Sequence, residues 1–224
     1  MKNSNSDHPI IRVYSKMGAP ETVFFVSLIS LFFIPFITDI QDHLLNSILV
    51  SAFILSLYYL IYSSNPKRRK LFITPLLIAF VVTWLKHFGI ATPIVESFFE
   101  VVIMVISFLF IFKSIFKSPN VNINTLMAAI SGYLLIGIGF GLIVMVFESV
   151  NANSFSFKGA VTMHSSYYYS FVTMSTLGYG DIVPLTTKAK GLSILITLIG
   201  QFYMAIVVGL LIGKLIANPQ ATQE

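Results

Sequence analysis

Six stretches of the chain are apolar almost without interruption, at residues 20–37, 44–62, 71–88, 93–112, 123–148 and 190–214. Each is long enough to cross a hydrocarbon core as an α-helix. A seventh apolar element, about 163–175, is too short to span. It is predicted to be a re-entrant helix, tolerated at membrane depth only where protein and water surround it. The expected fold is an all-α membrane protein, with six transmembrane helices plus this re-entrant helix and the loop after it.

Composition agrees with that pattern. Hydrophobic residues make up 56% and charged residues 10% of the 224 positions, where a soluble domain carries roughly 25% charge. Charge placement then sets an orientation. With a cytoplasmic amino terminus, the inside segments hold Lys2, Arg12, Lys16, Lys67, Arg68, Arg69, Lys70, Lys113, Lys117 and Lys214, and the outside segments only Lys86, Lys158, Lys188 and Lys190. The positive-inside rule favours this orientation, with both termini cytoplasmic. The cluster Lys67, Arg68, Arg69 and Lys70 reads as a topology anchor and is also a candidate contact for anionic lipid headgroups. The net charge of +5 reflects topology; no basic face interleaved with aromatics suggests nucleic acid. Cysteine is absent, which removes disulfides, thiolate zinc sites and thiol catalysis. Short loops and the lack of an Asn-x-Ser/Thr sequon point to a prokaryotic inner (plasma) membrane.

The chemistry is concentrated at Thr176-Leu177-Gly178-Tyr179-Gly180-Asp181, between two apolar stretches. Four copies of such a loop supply rings of backbone carbonyls that replace the water around a potassium ion. Gly178 and Gly180 admit positive φ, so successive carbonyls can point to one axis. The Thr176 hydroxyl adds an oxygen at the inner mouth, and Leu177 and Tyr179 are expected to point away and brace the loop. Since one loop cannot surround an ion, the functional unit is expected to be a homotetramer. No cofactor is expected beyond potassium as the permeant ligand.

With its surroundings, this segment resembles the pore of the potassium-channel superfamily. Tyr167-Tyr168-Tyr169-Ser170-Phe171-Val172-Thr173-Met174-Ser175 is similar to the family's aromatic-rich pore helix, Pro184 follows Asp181 by three residues, and Gly200 stands where the family often places an inner-helix hinge. The likeness covers roughly 123–217. It implies a pore domain over 118–217, preceded by a four-helix scaffold (20–117) and a cytoplasmic segment (1–19), and followed by a short cytoplasmic tail (218–224). It also implies that Tyr168, Tyr169, Thr173 and Ser175 support the filter, with Tyr168 and Tyr169 as a cuff around Tyr179, and that Asp181 lies at the outer mouth. Two departures stand out: Leu177 replaces the commoner valine, and Val172 stands where some relatives carry a glutamate paired with the filter aspartate. An aromatic belt at the membrane interface is the alternative reading of the three tyrosines.

The fourth apolar stretch contains no arginine. Charges there are what a membrane field acts on, each worth about 2.3 kcal/mol per 100 mV, so a conventional voltage sensor is excluded. Glu96 and Glu100, four residues apart on one helix face, are either solvated at the headgroup level or a candidate external proton sensor. In the fifth stretch, Gly132, Gly137, Gly139 and Gly141 are expected to let the inner helix approach, and Glu148 to brace the outer mouth or draw in cations. In the sixth, Gly200 marks a hinge, while Gln201 and Met204 are expected at the cavity, Gln201 alternatively bonding a neighbouring helix. No regulatory domain is expected after Lys214, and the gating stimulus is left open.

The reading is a potassium channel and not an enzyme, for no metal-ligand or nucleophile spacing occurs among the acidic residues and histidines. The alternatives are a non-conducting or partner-gated subunit and a weakly selective cation channel.

Overall fold

The computed structural model describes residues 20–38, 43–64, 69–85, 93–118, 121–157 and 162–217. Among them the helices are α1 (Pro20–Thr38), α2 (His43–Ser64), α3 (Arg69–Leu85), α4 (Pro93–Lys117), α5 (Ile123–Val150), α6 (Met163–Met174) and α7 (Thr187–Ala217). No strand forms among the described residues; the one extended pairing is an antiparallel bridge between Phe155 and Pro184. Residues 1–19, 218–224, Lys67, Arg68, Lys86 and Lys158 lie outside the described residues, as does the side chain of Glu96.

Helix ends follow backbone chemistry more closely than hydropathy. The Asn122 side chain accepts the Thr125 N–H at 3.0 Å, and the Thr186 hydroxyl accepts the Ala189 N–H at 3.2 Å. Each satisfies one of the donors that a helix start leaves without a partner. That is why α7 begins at Thr187, three residues before its apolar stretch. Similarly, α4 continues past the expected residue 112 to Lys117, with the rings of Phe108, Phe112 and Phe116 in contact one turn apart along it. A helix continues while its hydrogen bonds do, whether lipid or headgroups surround it.

By length and composition, α4 (over Phe99–Phe116), α5 and α7 are long and apolar enough to cross a membrane. The apolar stretches of α1, α2 and α3 are shorter, at Pro20–Ile34, Ser47–Ser63 and Ile73–Leu85. Among the described residues, then, three of the six expected spans meet the length requirement.

The chain divides into two compact units, Met1–Ser131 and Gly132–Glu224, and the division falls inside α5. In the first unit, Phe24 and Leu28 of α1 pack with Phe53, Leu57 and Ile61 of α2 in a core that excludes water, and Phe24 and Phe53 rings lie 5.2 Å apart. Small hydroxyls join these helices where apolar packing alone gives no direction. Ser27 and Ser56 share a hydrogen bond of 2.6 Å, and the Trp84 indole donates to Ser51 at 3.1 Å. Near the start of α1, Glu21 accepts from Ser114 of α4 at 3.1 Å. Thr22 donates to Asn124 of α5 at 3.3 Å.

The second unit holds the rest of α5, α6 and α7 around Phe140, Val144, Phe155, Tyr169, Met174 and Ile196. Two of the α5 glycines, Gly137 and Gly141, meet the short helix α6 where the inner helix was expected. A Cβ at Gly137 would collide with the Phe171 ring, and one at Gly141 would come within 2.9 Å of the Tyr167 Cα; both neighbours are on α6. Gly132 faces the Tyr203 ring of α7, and Gly139 has nothing within 4 Å. The small residues therefore make room mainly for the aromatic rings of the short helix, because that helix is wedged between longer ones and carries the bulk.

Candidate functional site

The short helix α6 is defined at both ends by hydrogen bonds the chain supplies locally. At its start the Thr162 hydroxyl accepts the Ser165 N–H at 3.1 Å, and the Ser165 hydroxyl accepts the Thr162 N–H at 3.0 Å. This reciprocal cap satisfies two donors at once. Along the helix the buried positions are Ser166, Tyr169, Ser170 and Met174, spaced as one helical face. Ser170 donates to the Gly137 carbonyl of α5 at 2.7 Å, so that face is held by a polar bond as well as by packing.

At its end, α6 becomes the loop through a C-terminal closure. Thr176 takes the left-handed conformation, with φ 62°. Its N–H donates to Thr173 O at 3.0 Å, and the Leu177 N–H reaches back to Val172 O at 3.0 Å. These two bonds are the Schellman pattern, in which the residue beyond the cap must be left-handed. Glycine normally fills that position. A β-branched residue there costs roughly 1–2 kcal/mol, and the surrounding bonds hold it in place. The Gly178 N–H adds a second bond to Val172 O at 3.2 Å.

The handedness then alternates. Thr176, Gly178 and Gly180 have φ of 62°, 57° and 77°, while Leu177 and Tyr179 between them are not left-handed. A backbone that changes hand at every residue carries its carbonyls along one edge and its N–H groups along the other. Here the N–H edge is the one turned to α6, since Leu177 and Gly178 donate to Val172. Such an alternation allows the carbonyl oxygens of the loop to line the opposite edge. Residues 175–180 are all exposed in the single chain, with Leu177 at 57% and Tyr179 at 66%.

The outer end of the loop is tied twice. The Tyr168 hydroxyl donates to Asp181 Oδ2 at 2.7 Å, and the Ile182 N–H donates to Asp181 Oδ1 at 3.1 Å. The bond to this carboxylate, ahead of burial, pushes the Tyr168 hydroxyl up to about 12, because the neutral phenol is the form that can donate to it. With Val172 in place of an acid, the aspartate takes a phenol as its partner. Beyond it, Ser156 N donates to Val183 O at 2.9 Å and Leu185 N to Ser154 O at 2.7 Å. Glu148, 8% exposed, anchors this strap: its carboxylate accepts Asn153 N at 2.7 Å and Phe155 N at 2.9 Å. Of its two expected roles, the bracing one is what these bonds perform.

The remaining expected residues are distributed as follows. Tyr169 enters the core, stacking edge-on against Phe155 at 5.1 Å with its hydroxyl bonded to Ser193 of α7. Within one chain, therefore, only Tyr168 of the expected cuff reaches the loop, at Asp181. Thr173 contributes its carbonyl, and the Ser175 hydroxyl folds back toward Val172 O at 3.3 Å. Helix α7 runs unbroken through Gly200, which is buried against Met174. Gln201 donates to Met174 O at 3.3 Å, and Met204 is exposed. Glu100 is half-buried on α4, in the first unit.

Residues 140–217 match the family model described as "Ion channel". No curated protein and no solved structure matches the chain. The matched segment runs from within α5 through α6 and the alternating loop to the end of α7, so this part of the chain is similar to the pore-loop cation channels.

Proposed function

We propose that this membrane ion channel is potassium-selective and works as a homotetramer, with Thr176, Leu177, Gly178, Tyr179 and Gly180 as its filter. The observation that carries the reading is the alternation of left-handed φ at Thr176, Gly178 and Gly180. It supports a continuous ladder of carbonyl oxygens, the oxygen-only ligand set that replaces the water shell of a potassium ion. Conduction is passive: successive sites hold ions strongly enough to admit them, and repulsion between neighbours moves them on.

Tetramerisation is supported by the exposure of Leu177 and Tyr179 in a single chain. Three further copies would cover these side chains while closing the carbonyl rows into rings. The carboxyl end of α6 adds roughly half a negative charge below the filter, where a cation is most poorly solvated. Asp181 adds negative potential at the outer mouth. The first four helices complete a six-span subunit without a voltage sensor, its basic residues facing the cytoplasm and Lys67, Arg68, Arg69 and Lys70 meeting anionic headgroups.

Proteoliposomes holding the purified full chain test this. Potassium efflux should be fast for the wild type and absent for Gly178→Asp, whose carboxylate would enter a position that requires φ of 57°. Flux that survives this substitution contradicts the filter assignment. A wild type silent under all conditions of pH, lipid and voltage would indicate a non-conducting or partner-gated subunit.

A further inference from the structure

We infer that Gln201 is a positioning residue for the filter, acting through the last carbonyl of the pore helix. This inference rests on the potassium-channel reading. The four carbonyls at the end of α6 all need donors, as at any helix end. Phe171 O receives Ser175 N, Val172 O receives Leu177 N and Gly178 N, and Thr173 O receives Thr176 N. All of these donors come from the cap and filter loop. Met174 O differs, because its donor is the Gln201 amide on the inner helix α7, at 3.3 Å.

The neighbouring residue explains how a glutamine on another helix can reach. A Cβ at Gly200 would come within 2.7 Å of Met174 O and would collide with the Met174 side chain. Met174 itself is fully buried, so it has nowhere to retreat. Gly200 is thus a contact glycine that permits the approach, and Gln201 supplies the bond the approach makes available. One turn earlier, the Thr197 hydroxyl donates to Ser193 O at 3.0 Å and lies 3.5 Å from Thr173 O, lining the same seam with a second polar group.

The seam has a mechanical consequence. The filter begins at the residue after Met174 and its cap, so any movement of the Met174 carbonyl is passed directly into Thr176. A bend of α7 at Gly200 would withdraw Gln201 and leave that carbonyl without its donor. Filter geometry and inner-helix geometry are therefore set together, and Gln201 tunes selectivity although it contributes no oxygen to the ion's cage.

Two substitutions separate this role from that of a simple cavity amide. Gln201→Leu removes the donor. Gln201→Asn keeps an amide on the same face but shortens the side chain, so a bond already at 3.3 Å is lost. The potassium-over-sodium permeability ratio should fall in both variants, by about tenfold if one buried carbonyl loses its donor. The thermal protection that potassium gives the purified full chain over sodium should shrink in both. If Gln201→Asn behaves as wild type on both readouts, or if Gln201→Leu changes only the affinity of an internal quaternary ammonium blocker, the positioning role is overturned. A wild type that itself prefers neither ion overturns the underlying potassium reading, and this inference with it.

Discussion

Thr176 is the residue whose conformation is hardest to anticipate. Its side chain is β-branched, which argues against a left-handed backbone, yet φ is 62° because Val172 and Thr173 carbonyls need the donors that follow it. The glycines at 178 and 180 could be read directly, since only they tolerate positive φ without strain. Their freedom is purely conformational: a Cβ at either would meet nothing within 4 Å in one chain. Gly178→Ala should therefore lower potassium selectivity, by about tenfold, through backbone strain of about 1–2 kcal/mol. A Gly178→Ala channel with unchanged selectivity would refute that cause. The neighbouring tyrosines were legible as an aromatic run on the short helix but not in their separate directions. Successive helical residues point about 100° apart, so Tyr168 reaches Asp181 while Tyr169 enters the core. Serines at 166 and 170 on the buried face disguise the stripe that would have shown which was which. Tyr168→Phe should loosen the outer mouth and shorten sustained flux while leaving the fold intact, since the pair is exposed.

The helices were largely legible because apolar runs of such length have few alternatives. Their ends were less so, because Asn122, Thr162 and Thr186 act as caps through backbone geometry that hydropathy does not contain. Within α5 the glycines sort by what they face. Gly141→Ala should lower the melting temperature, because its Cβ would press on the backbone of Tyr167. Gly139→Ala, with open space around it, should leave stability unchanged or raise it by up to about 1 kcal/mol through helix propensity. Equal effects of the two would mean that α6 does not pack on α5 as described. Glu148 shows a second limit of sequence reading. It was legible as an acid at a helix end, but its two acceptor bonds to Asn153 and Phe155 depend on a turn with Asn153 left-handed at φ 64°. Glu148→Ala leaves both N–H groups without their acceptor and should destabilise by about 2 kcal/mol. Thermal unfolding in detergent checks this, and an unchanged melting temperature would remove the strap from the account.

For the molecule as a whole, the second unit was the more legible because its alternating loop demands glycines at fixed spacing. The first four helices are specified by packing alone, and many sequences pack equally well. Their hydroxyl pairs, such as Ser27 with Ser56, mark contacts and carry no chemistry that names a stimulus. Exposed Leu177 and Tyr179 link the single chain to the proposed tetramer, since a side chain that braces a filter must be braced in turn. The most direct test is the reversal potential of the reconstituted full-length protein with potassium on one side of a bilayer and sodium on the other. A potential displaced far toward the potassium equilibrium value is the expected result. A reversal potential near zero would mean that the carbonyl ladder does not discriminate between the two ions, and would contradict the assignment of residues 176–180 as a potassium filter.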